Sequence, residues 1–322
     1  MSSDSTDIAI VGGGLIGLCA ALALQHPDRR ITLIEASDIR ADVSGGINAR
    51  SIALSASSAQ IFHALSLWPE LELHAAPIRT IHVSAQGRWG VTRLQASDYR
   101  LDAMGYVVEH HQLMQCLLRS VDDNPNIILQ TGAEFESIDE GSKSVVGYRQ
   151  DGKLHQLTST LTLIADGARS KARDALGIEH KTIDYGQSVL ICNVEFSKPG
   201  NQVAYERFTN QGPLAMLPLG GKRYACVWTL DPDRSDLVCH YDDQDFSRAL
   251  QACFGFRLGN IESVGARFSI PIQRTRALQL HQGRHLLIGN AANALHPVAG
   301  QGFNLALRDI ACLYELLADQ NI

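Results

Sequence analysis

Residues 8–24 read IAIVGGGLIGLCAALAL, and this stretch predicts how the chain begins to fold. Residues 8–11 are apolar, as in a short buried strand, and three glycines separate them from an apolar run that starts at Leu15. That run is too continuous for a surface helix, so it predicts a helix buried against a sheet. Gly12, Gly14 and Gly17 have the spacing G-x-G-x-x-G, which allows a tight turn, approach of a pyrophosphate to the backbone, and close helix packing. The N-terminus of such a helix attracts phosphates.

A second strand strengthens the prediction of a dinucleotide site. Residues 31–34 are apolar or β-branched, and they are followed by Glu35, eighteen residues after Gly17. An acidic side chain at this place can accept hydrogen bonds from the hydroxyls of a ribose. A glycine-rich turn in another α/β fold would explain the glycines but not Glu35. These residues leave open which dinucleotide binds and for what chemistry.

Length and composition exclude several classes of protein. The chain has 322 residues, enough for two domains, with 45% hydrophobic and 19% charged residues, as in a soluble globular protein. The net charge of −6 predicts no nucleic-acid partner. Seven cysteines without a C-x-x-C pair predict free thiols in a reducing compartment, and we expect no metal site. We find no signal peptide or membrane-spanning run, so we expect a cytoplasmic protein, with peripheral contact to the inner membrane as a further possibility.

Two more strands end in residues suited to ligand contact. Residues 161–164 form a buried-type strand that leads to Asp166 and Gly167. Asp-Gly is most often a simple turn, but open α/β sheets bind ligands at the carboxyl ends of their strands. Residues 285–288 form another such strand, followed by Gly289 and Asn290. A Gly-Gln-Gly sequence at 300–302 then precedes a predicted helix at 303–318.

The strand-rich segments indicate a second domain. Strand-like runs at 189–196, 203–208, 214–217 and 224–230 follow one another, and 78–94 has the pattern of a hairpin. We therefore predict an α/β protein in which a Rossmann-like domain is interleaved with a mainly antiparallel β-sheet domain. The predicted boundaries are 1–75, 105–180 and 272–322 for the first domain, and 76–104 and 181–271 for the second.

Two features allow alternative interpretations. Arg50 lies at a predicted loop-to-helix junction, where it would either pair with a phosphate or be an ordinary surface arginine. Gly212, Pro213, Leu214 and Met216 belong to an apolar strand bracketed by prolines, which would either line a pocket or form plain core.

Taken together, the motifs resemble those of the flavin-dependent aromatic hydroxylases of the para-hydroxybenzoate hydroxylase class. The resemblance is carried by the first glycine motif with Glu35, by Asp166-Gly167, and by Gly289-Asn290 with the residues that follow. The run LHPVAGQGFNLALRD, at 295–309, is similar to the ubiquinone-biosynthesis hydroxylases, above all to those acting on 2-octaprenyl-6-methoxyphenol. Members of this family continue with a helical C-terminal region, which we expect to be missing here.

The resemblance implies a set of site residues. The first domain would bind FAD and the second the substrate. The implied FAD contacts are Gly12, Gly14, Gly17, Glu35, Arg50, Asp166, Gly167, Gly289, Asn290, Pro297, Gly300, Gln301, Gly302 and Asn304. The implied substrate pocket consists of Gly212, Pro213, Leu214, Met216 and Pro297, and His296 is a candidate acid or base that would otherwise be structural. The class usually has aspartate where this chain has Asn290; we expect FAD binding to survive, because asparagine keeps an acceptor oxygen.

The resemblance also implies an activity. FAD would be reduced by NAD(P)H and react with O2 to a C4a-hydroperoxide, which would hydroxylate the ring of a polyprenylated phenol in ubiquinone biosynthesis. Other proteins of that pathway are expected partners. Two alternatives stay open: a member of the class that hydroxylates a different aromatic compound, and a non-catalytic FAD-binding subunit of a ubiquinone-synthesis complex.

Overall fold

A computed structural model describes residues 3–40, 46–295 and 300–318. The chain forms two compact units. Unit 1 comprises Met1–Val43, Met114–Ile183 and Gln273–Ile322, and unit 2 comprises Ser44–Leu113 and Asp184–Ile272. Within the described residues, no helix is both long enough and apolar enough to cross a membrane.

The elements are numbered in chain order. The strands are β1 (Ser3–Val11), β2 (Ile31–Glu35), β3 (Ser51–Ser55), β4 (Ala75–Ile78), β5 (Thr80–Ala85), β6 (Val91–Gln95), β7 (Gly105–Glu109), β8 (Ile127–Thr131), β9 (Glu134–Glu140), β10 (Ser144–Gln150), β11 (Lys153–Ile164), β12 (His180–Phe196), β13 (Val203–Thr209), β14 (Gly212–Pro218), β15 (Arg223–Leu230), β16 (Ile261–Val264), β17 (Phe268–Ala277), β18 (His281–Gln282), β19 (His285–Leu287) and β20 (Asn293–Ala294). The helices are α1 (Leu15–Ala23), α2 (Ala56–Ala64), α3 (Trp68–Leu71), α4 (His110–Asp122), α5 (Lys171–Ala175), α6 (Pro232–Cys239), α7 (Asp243–Phe254) and α8 (Gln301–Leu317).

Unit 1 is organised around a parallel sheet in the order β19-β11-β1-β2-β8. The antiparallel strands β9 and β10 extend from β11 as a meander. Helix α1 is almost entirely buried, and α8 packs against it. Residues 8–11 at the end of β1 are apolar and almost completely buried, as the sequence predicted for a strand of a covered parallel sheet.

Unit 2 contains a sheet in which β12, β15, β14, β13, β5 and β6 are neighbours in that order. All of these pairs are antiparallel except β13 with β5, which is parallel. Helix α7 supplies Phe246, Leu250 and Phe254 to a core that also contains Trp228 and Met216. A small sheet of β3, β7 and β4 completes the unit. The predicted fold class, a parallel α/β sheet interleaved with mainly antiparallel structure, is confirmed.

The two units differ in extent from the predicted domains. Residues 44–75 and 105–113 were predicted to belong with the nucleotide-binding segments, but they group with unit 2. The physical reason is that β7 pairs with β3 and β4 instead of joining the parallel sheet. The assignment of FAD to the first predicted domain and of the substrate to the second stays a prediction.

Candidate cofactor site

The turn between β1 and α1 requires glycine at its first position. The Gly12 N–H donates to the carbonyl of Ile34 at 2.9 Å. The φ angle of Gly12 is +106°, and a Cβ at this residue would lie 2.5 Å from the carbonyl oxygen of Ala165. A side chain would therefore be strained by the backbone and would collide with the strand end beside it.

The other two motif glycines have different surroundings. A Cβ on Gly17 would lie 1.9 Å from the carbonyl oxygen of Gly12, so this glycine allows α1 to pack closely on the end of β1. Gly14, the N-cap of α1, has an ordinary φ of −67°, and a Cβ there would meet no heavy atom within 4 Å among the described residues. Gly14 thus borders open space in front of the unpaired N–H groups that begin a helix, which is where a pyrophosphate can bind.

Glu35 is held in place by backbone N–H groups. Its Oε2 accepts a hydrogen bond from the Gly13 N–H at 2.7 Å, and its Oε1 accepts one from the Ser37 N–H at 2.9 Å. Oε1 also accepts from the Ser37 hydroxyl at 2.5 Å, whereas Oε2 keeps a further lone pair and can also accept from a ribose hydroxyl. Gly13 was not among the predicted site residues, because the motif spacing counts it as variable. A Cβ at Gly13 would lie 2.8 Å from that of Glu35, so the third consecutive glycine was the available signal.

Asp166 carries a buried oxygen without a partner. Its Oδ2 accepts from the Ala172 N–H at 3.1 Å, whereas its Oδ1 is buried and has no hydrogen-bond partner in the part of the chain that the structure describes. Burial raises the pKa of the Asp166 carboxyl, and hydrogen bonds from Ser170 and Ala172 partly oppose that rise. A buried acceptor without a donor is costly, so a hydroxyl-bearing ligand would satisfy it. Gly167 follows with a φ of +89°, and a Cβ there would meet no heavy atom within 4 Å among the residues that the structure describes.

The third strand end lies beside the first turn of α8. Gly289 has a φ of +59°, and a Cβ there would lie 3.0 Å from Cγ2 of Ile16 in α1. A Cβ on Gly302 would lie 3.9 Å from Oδ1 of Asn290, whose side chain is exposed. The N-cap of α8 is Gly300, with a φ of +60°, and its carbonyl accepts from Nδ2 of the buried Asn304 at 2.7 Å. The start of α8 is therefore held close to the Gly289 turn.

A buried arginine joins two of these turns. Arg173 is only 2% exposed, and its Nη1 donates to the carbonyls of both Ala168 and Ala291 at 3.2 Å. Its Nε and Nη2 donate to Asp174. Ala168 follows Asp166-Gly167 and Ala291 follows Gly289, so Arg173 fixes these two loops relative to each other. The sequence gives no signal for this role of Arg173, since both carbonyl partners are backbone atoms.

The predicted cofactor residues of unit 1 follow four neighbouring parallel strands. Val11 at the end of β1 is paired in register with Ile34 of β2 and Ile164 of β11, and Ile164 is paired with Leu287 of β19. The motif turns after these strands consequently lie at one edge of the sheet. The residues brought together there are Gly12, Gly14, Gly17, Glu35, Asp166, Gly167, Gly289, Asn290, Gly300, Gln301, Gly302 and Asn304.

The structure does not place three predicted residues in this group. His296 and Pro297 lie outside the residues that the structure describes. Arg50 belongs to unit 2, where its side chain is exposed and its carbonyl accepts from the His110 N–H at 2.7 Å. Its contact with a phosphate stays a prediction.

The predicted substrate strand needs a correction. Leu214 and Met216 are fully buried and belong to the hydrophobic core of unit 2, so the core alternative describes them better than the pocket. Because side chains alternate along a strand, Pro213 and its neighbours on the opposite face of β14 are the partly exposed ones. Gly212 has a backbone reason for being glycine, since a Cβ would lie 2.5 Å from the carbonyl oxygen of Thr229.

Unit 2 contains a cavity of about 780 Å³. Its lining does not include Gly212, Pro213, Leu214 or Met216, the residues of the predicted substrate strand. Its wall includes Glu109 and Arg223, whose Oε1 and Nη1 are 2.8 Å apart, with the Glu109 side chain largely buried. The ring nitrogen Nδ1 of His111 lies 3.6 Å from the other oxygen of Glu109. The charged pair distinguishes this cavity from the apolar pocket that the sequence predicted, and the pair was missed because its members are far apart along the chain.

The geometry of unit 1 fits a dinucleotide cofactor, and comparisons with known proteins agree. Residues 5–320 match the family described as "FAD binding domain". The ubiquinone hydroxylase UbiL of Rhodospirillum rubrum is 33% identical over 314 residues, which are 97% of this chain and 72% of that protein. The 3-demethoxyubiquinol 3-hydroxylase of Escherichia coli is 28% identical over 323 residues, covering 99% of this chain and 81% of that protein.

Solved structures share the fold. The p-nitrophenol 4-monooxygenase PnpA of Pseudomonas putida superposes with a TM-score of 0.79 at 19% identity, covering 98% of this chain and 80% of that one. The chain therefore belongs to the FAD-binding family of flavin-dependent monooxygenases. It is an FAD-dependent monooxygenase, and NAD(P)H is the electron donor typical of its class.

Proposed function

We propose that this monooxygenase hydroxylates the ring of a polyprenylated phenol in ubiquinone biosynthesis, using O2 and NAD(P)H. The observation that carries the proposal is the group of motif turns at the ends of four neighbouring strands, with open space at Gly14 and an unpartnered oxygen on Asp166. The names of the relatives, a ubiquinone hydroxylase and a 3-demethoxyubiquinol 3-hydroxylase, support the substrate class.

The residues of unit 1 have separable roles in this proposal. The turn at Gly12 and Gly14 and the N-terminus of α1 would hold the pyrophosphate of FAD. Glu35, already held by the Gly13 N–H, would accept from the adenosine ribose. Oδ1 of Asp166 would accept a hydrogen bond from a hydroxyl of the cofactor, and Gly167 and Gly289 would allow its close approach.

The start of α8 would serve the redox-active end of the cofactor. FAD, when bound, takes electrons from NAD(P)H and activates O2 for transfer to an electron-rich ring. The N–H groups at 300–302 would stabilise negative charge on the reduced ring system, because a helix N-terminus carries a partial positive charge. Asn290 would add its amide next to this turn. His296 and Pro297 stay candidates for the substrate side, and no acid–base residue is assigned.

The proposed substrate class also indicates where in the cell the protein acts. A polyprenyl chain is retained in a bilayer by its apolar length, so we propose a cytoplasmic protein that contacts the inner membrane peripherally. Other proteins of ubiquinone biosynthesis are proposed partners, since they would supply the phenol and accept the hydroxylated product.

The test is substrate-dependent oxidation of NAD(P)H by the purified flavoprotein. We expect oxidation to accelerate with a short-chain prenylated methoxyphenol and much less with a soluble aromatic such as para-hydroxybenzoate. Faster turnover of the soluble compound would replace the proposed substrate class with another aromatic. Tight FAD binding without oxidation for any phenol would instead favour the non-catalytic subunit.

A further inference from the structure

One end of the sheet in unit 2 combines exposed aromatic side chains with arginines. The turn at 86–90 joins β5 to β6, and it lines a cleft of about 370 Å³ together with Arg207 of β13 and Arg257, which follows α7. Arg88 and Trp89 are at the tip of the turn. Each arginine has an aromatic neighbour in sequence: Trp89, Phe208 and Phe256. We call these six residues the hairpin surface.

The aromatic residues of the hairpin surface are unusually exposed. Trp89 is fully exposed, and Phe256 and Phe208 are 68% and 53% exposed. The other two tryptophans of the chain, Trp68 and Trp228, are almost completely buried. The Gln86 N–H donates to the carbonyl of Phe208 at 2.8 Å, which places Phe208 at the same end of the sheet as the turn. Exposed apolar groups gathered in one place indicate a binding surface.

The charge of the hairpin surface has one sign. Some exposed arginines elsewhere pair with carboxylates, as Arg40 does with Asp122 and Arg248 with Asp245. By contrast, Arg88, Arg207 and Arg257 have no carboxylate oxygen within 4.0 Å among the described residues, and neither does the nearby Arg93.

The arginines also act on one another. Burial and the charge of Arg257 lower the pKa of Arg207. Burial and then Arg257, Arg93 and Arg207 lower the pKa of His82, which is paired with Arg93 across β5 and β6. On a chain with a net charge of −6, such a cluster departs from the average surface and is relieved by an anionic partner.

We propose that the hairpin surface docks this protein on a bilayer of anionic phospholipids, with Trp89 inserted at the level of the headgroups and the arginines paired with lipid phosphates. Tryptophan is favoured at this depth because its ring is apolar and its N–H is polar. Arginines near an anionic bilayer are attracted to it electrostatically, and this attraction decays over about one Debye length from the surface. The turn is suited to insertion because β6 is at the edge of the sheet, which leaves the hairpin tip fully exposed.

This inference rests on the proposed function in one respect: the polyprenylated substrate is the reason for expecting the protein to bind a membrane. The assay therefore uses no substrate and no NAD(P)H. The flavin-loaded full chain is mixed with vesicles of phosphatidylcholine alone, or of phosphatidylcholine with phosphatidylglycerol, and binding is followed by sedimentation and tryptophan emission. Because Trp68 and Trp228 are buried, the emission change reports mainly on Trp89.

We expect binding to the anionic vesicles, a blue shift of emission, and weakening by added salt. Replacing the exposed arginines, as Arg88→Gln/Arg93→Gln/Arg257→Gln, should lower the partition coefficient on the order of a hundredfold. The control Lys198→Gln/Lys222→Gln/Arg248→Gln removes the same charge from elsewhere in unit 2 and should have little effect. Trp89→Ser should abolish the blue shift and weaken binding, whereas Leu237→Ser, at another exposed apolar residue, should do neither.

Several results would overturn the proposal. These are no binding to anionic vesicles, equal losses in the two triple variants, or a blue shift caused by inorganic phosphate alone, which would indicate a soluble phosphate ligand. A blue shift that grows with protein concentration without lipid would indicate contact between copies. Turnover of a soluble short-chain phenol by the arginine triple variant should match wild type, so failure of docking and failure of the hydroxylase proposal can be told apart.

Discussion

The three glycines of the first motif are there for three different reasons. Gly12 is required by its backbone angle and by Ala165, and Gly17 by the close approach of α1 to the carbonyl of Gly12. Of the three, only Gly14 combines an ordinary backbone conformation with a Cβ position that meets no heavy atom within 4 Å in the described part of the chain. At Gly14, therefore, a substitution can remove ligand binding without disturbing the fold.

Gly14→Asn tests this distinction. Asparagine is favoured at a helix N-cap, so α1 should keep its stability while the new side chain fills the space in front of its N–H groups. We expect the melting temperature of the apoprotein to change little and FAD affinity to fall at least tenfold, about 1.4 kcal/mol. Flavin fluorescence titration measures the affinity. Gly141→Asn, in an exposed turn, is the control, and unchanged FAD affinity in Gly14→Asn would contradict the assignment.

The buried carboxyl of Asp166 should make the stability of the apoprotein depend on pH in a definite direction. Burial raises the pKa of its carboxyl above the ordinary value of 3.8, so the folded apoprotein holds this proton more tightly than the unfolded chain does. The stability from the protonated form is present at low pH and is lost as pH rises through the folded pKa. Asp166→Asn cannot ionise, so its melting temperature relative to wild type should increase as pH rises from about 4 towards neutrality.

The same substitution should weaken the cofactor. The amide can still accept from the Ala172 N–H, but it then presents a donor where Oδ1 presented an acceptor. We expect FAD affinity to fall about tenfold to a hundredfold. Asp102→Asn, at an exposed position, should change neither quantity. A melting-temperature difference that shrinks as pH rises would show that the carboxyl is stabilised in its charged form.

At the scale of elements, the contact between β1 and α1 is the most constrained. Helix propensity alone predicts that Gly17→Ala gains about 1 kcal/mol. The structure predicts the opposite sign, because the added Cβ would lie 1.9 Å from the carbonyl oxygen of Gly12 and would force α1 away from the strand. We expect a loss of at least about 2 kcal/mol in urea unfolding of the apoprotein. A gain in stability would mean that the helix is not packed this closely.

Arg173 couples the loop after β11 to the loop after β19. Arg173→Met should leave the carbonyls of Ala168 and Ala291 without their donor, at a cost of about 2–4 kcal/mol in unfolding free energy. FAD affinity should fall as well, because both loops carry proposed cofactor contacts. Arg173→Lys should recover only part of either quantity, since one ammonium group cannot reproduce the planar fork of donors.

The matched control is Arg169→Met in the same loop, at an exposed position. If Arg173→Met lowered stability and left FAD affinity unchanged, the residue would be structural only. If Arg169→Met lowered affinity equally, the general positive charge of the loop would be responsible instead of the two hydrogen bonds.

Elements built from local patterns could be predicted from the sequence. The glycine turn and the strand before Asp166 were predictable because each depends on a pattern of only about ten consecutive residues. The face of β14 was harder, since alternation separates Leu214 and Met216 from Pro213 but does not say which set is inside. Packing of Phe254 and its neighbours from α7 decides that question, and it depends on residues about forty positions away.

At the scale of the whole molecule, the least predictable features join distant parts of the chain. No sequence motif with a fixed spacing indicates these features. They are the hydrogen bonds of Arg173, the pairing of Glu109 with Arg223, and the hairpin surface, which is formed by three separate segments. The boundaries of the units were likewise missed at 44–75, because strand pairing of β3 and β7 decides their grouping. By contrast, the order of the motifs along the chain was sufficient for the FAD-binding family, which residues 5–320 match.

Holding FAD is necessary for the proposed activity, but the activity itself is transfer of an oxygen atom from O2 to a phenol ring. The most direct measurement is mass spectrometry of the product formed by the flavin-loaded protein from a short-chain prenylated phenol, NAD(P)H and ¹⁸O2. We predict a hydroxylated ring carrying one ¹⁸O atom, formed in proportion to the NAD(P)H consumed. Consumption of NAD(P)H that yields only hydrogen peroxide, or a product without ¹⁸O, would show that the protein is not the proposed hydroxylase.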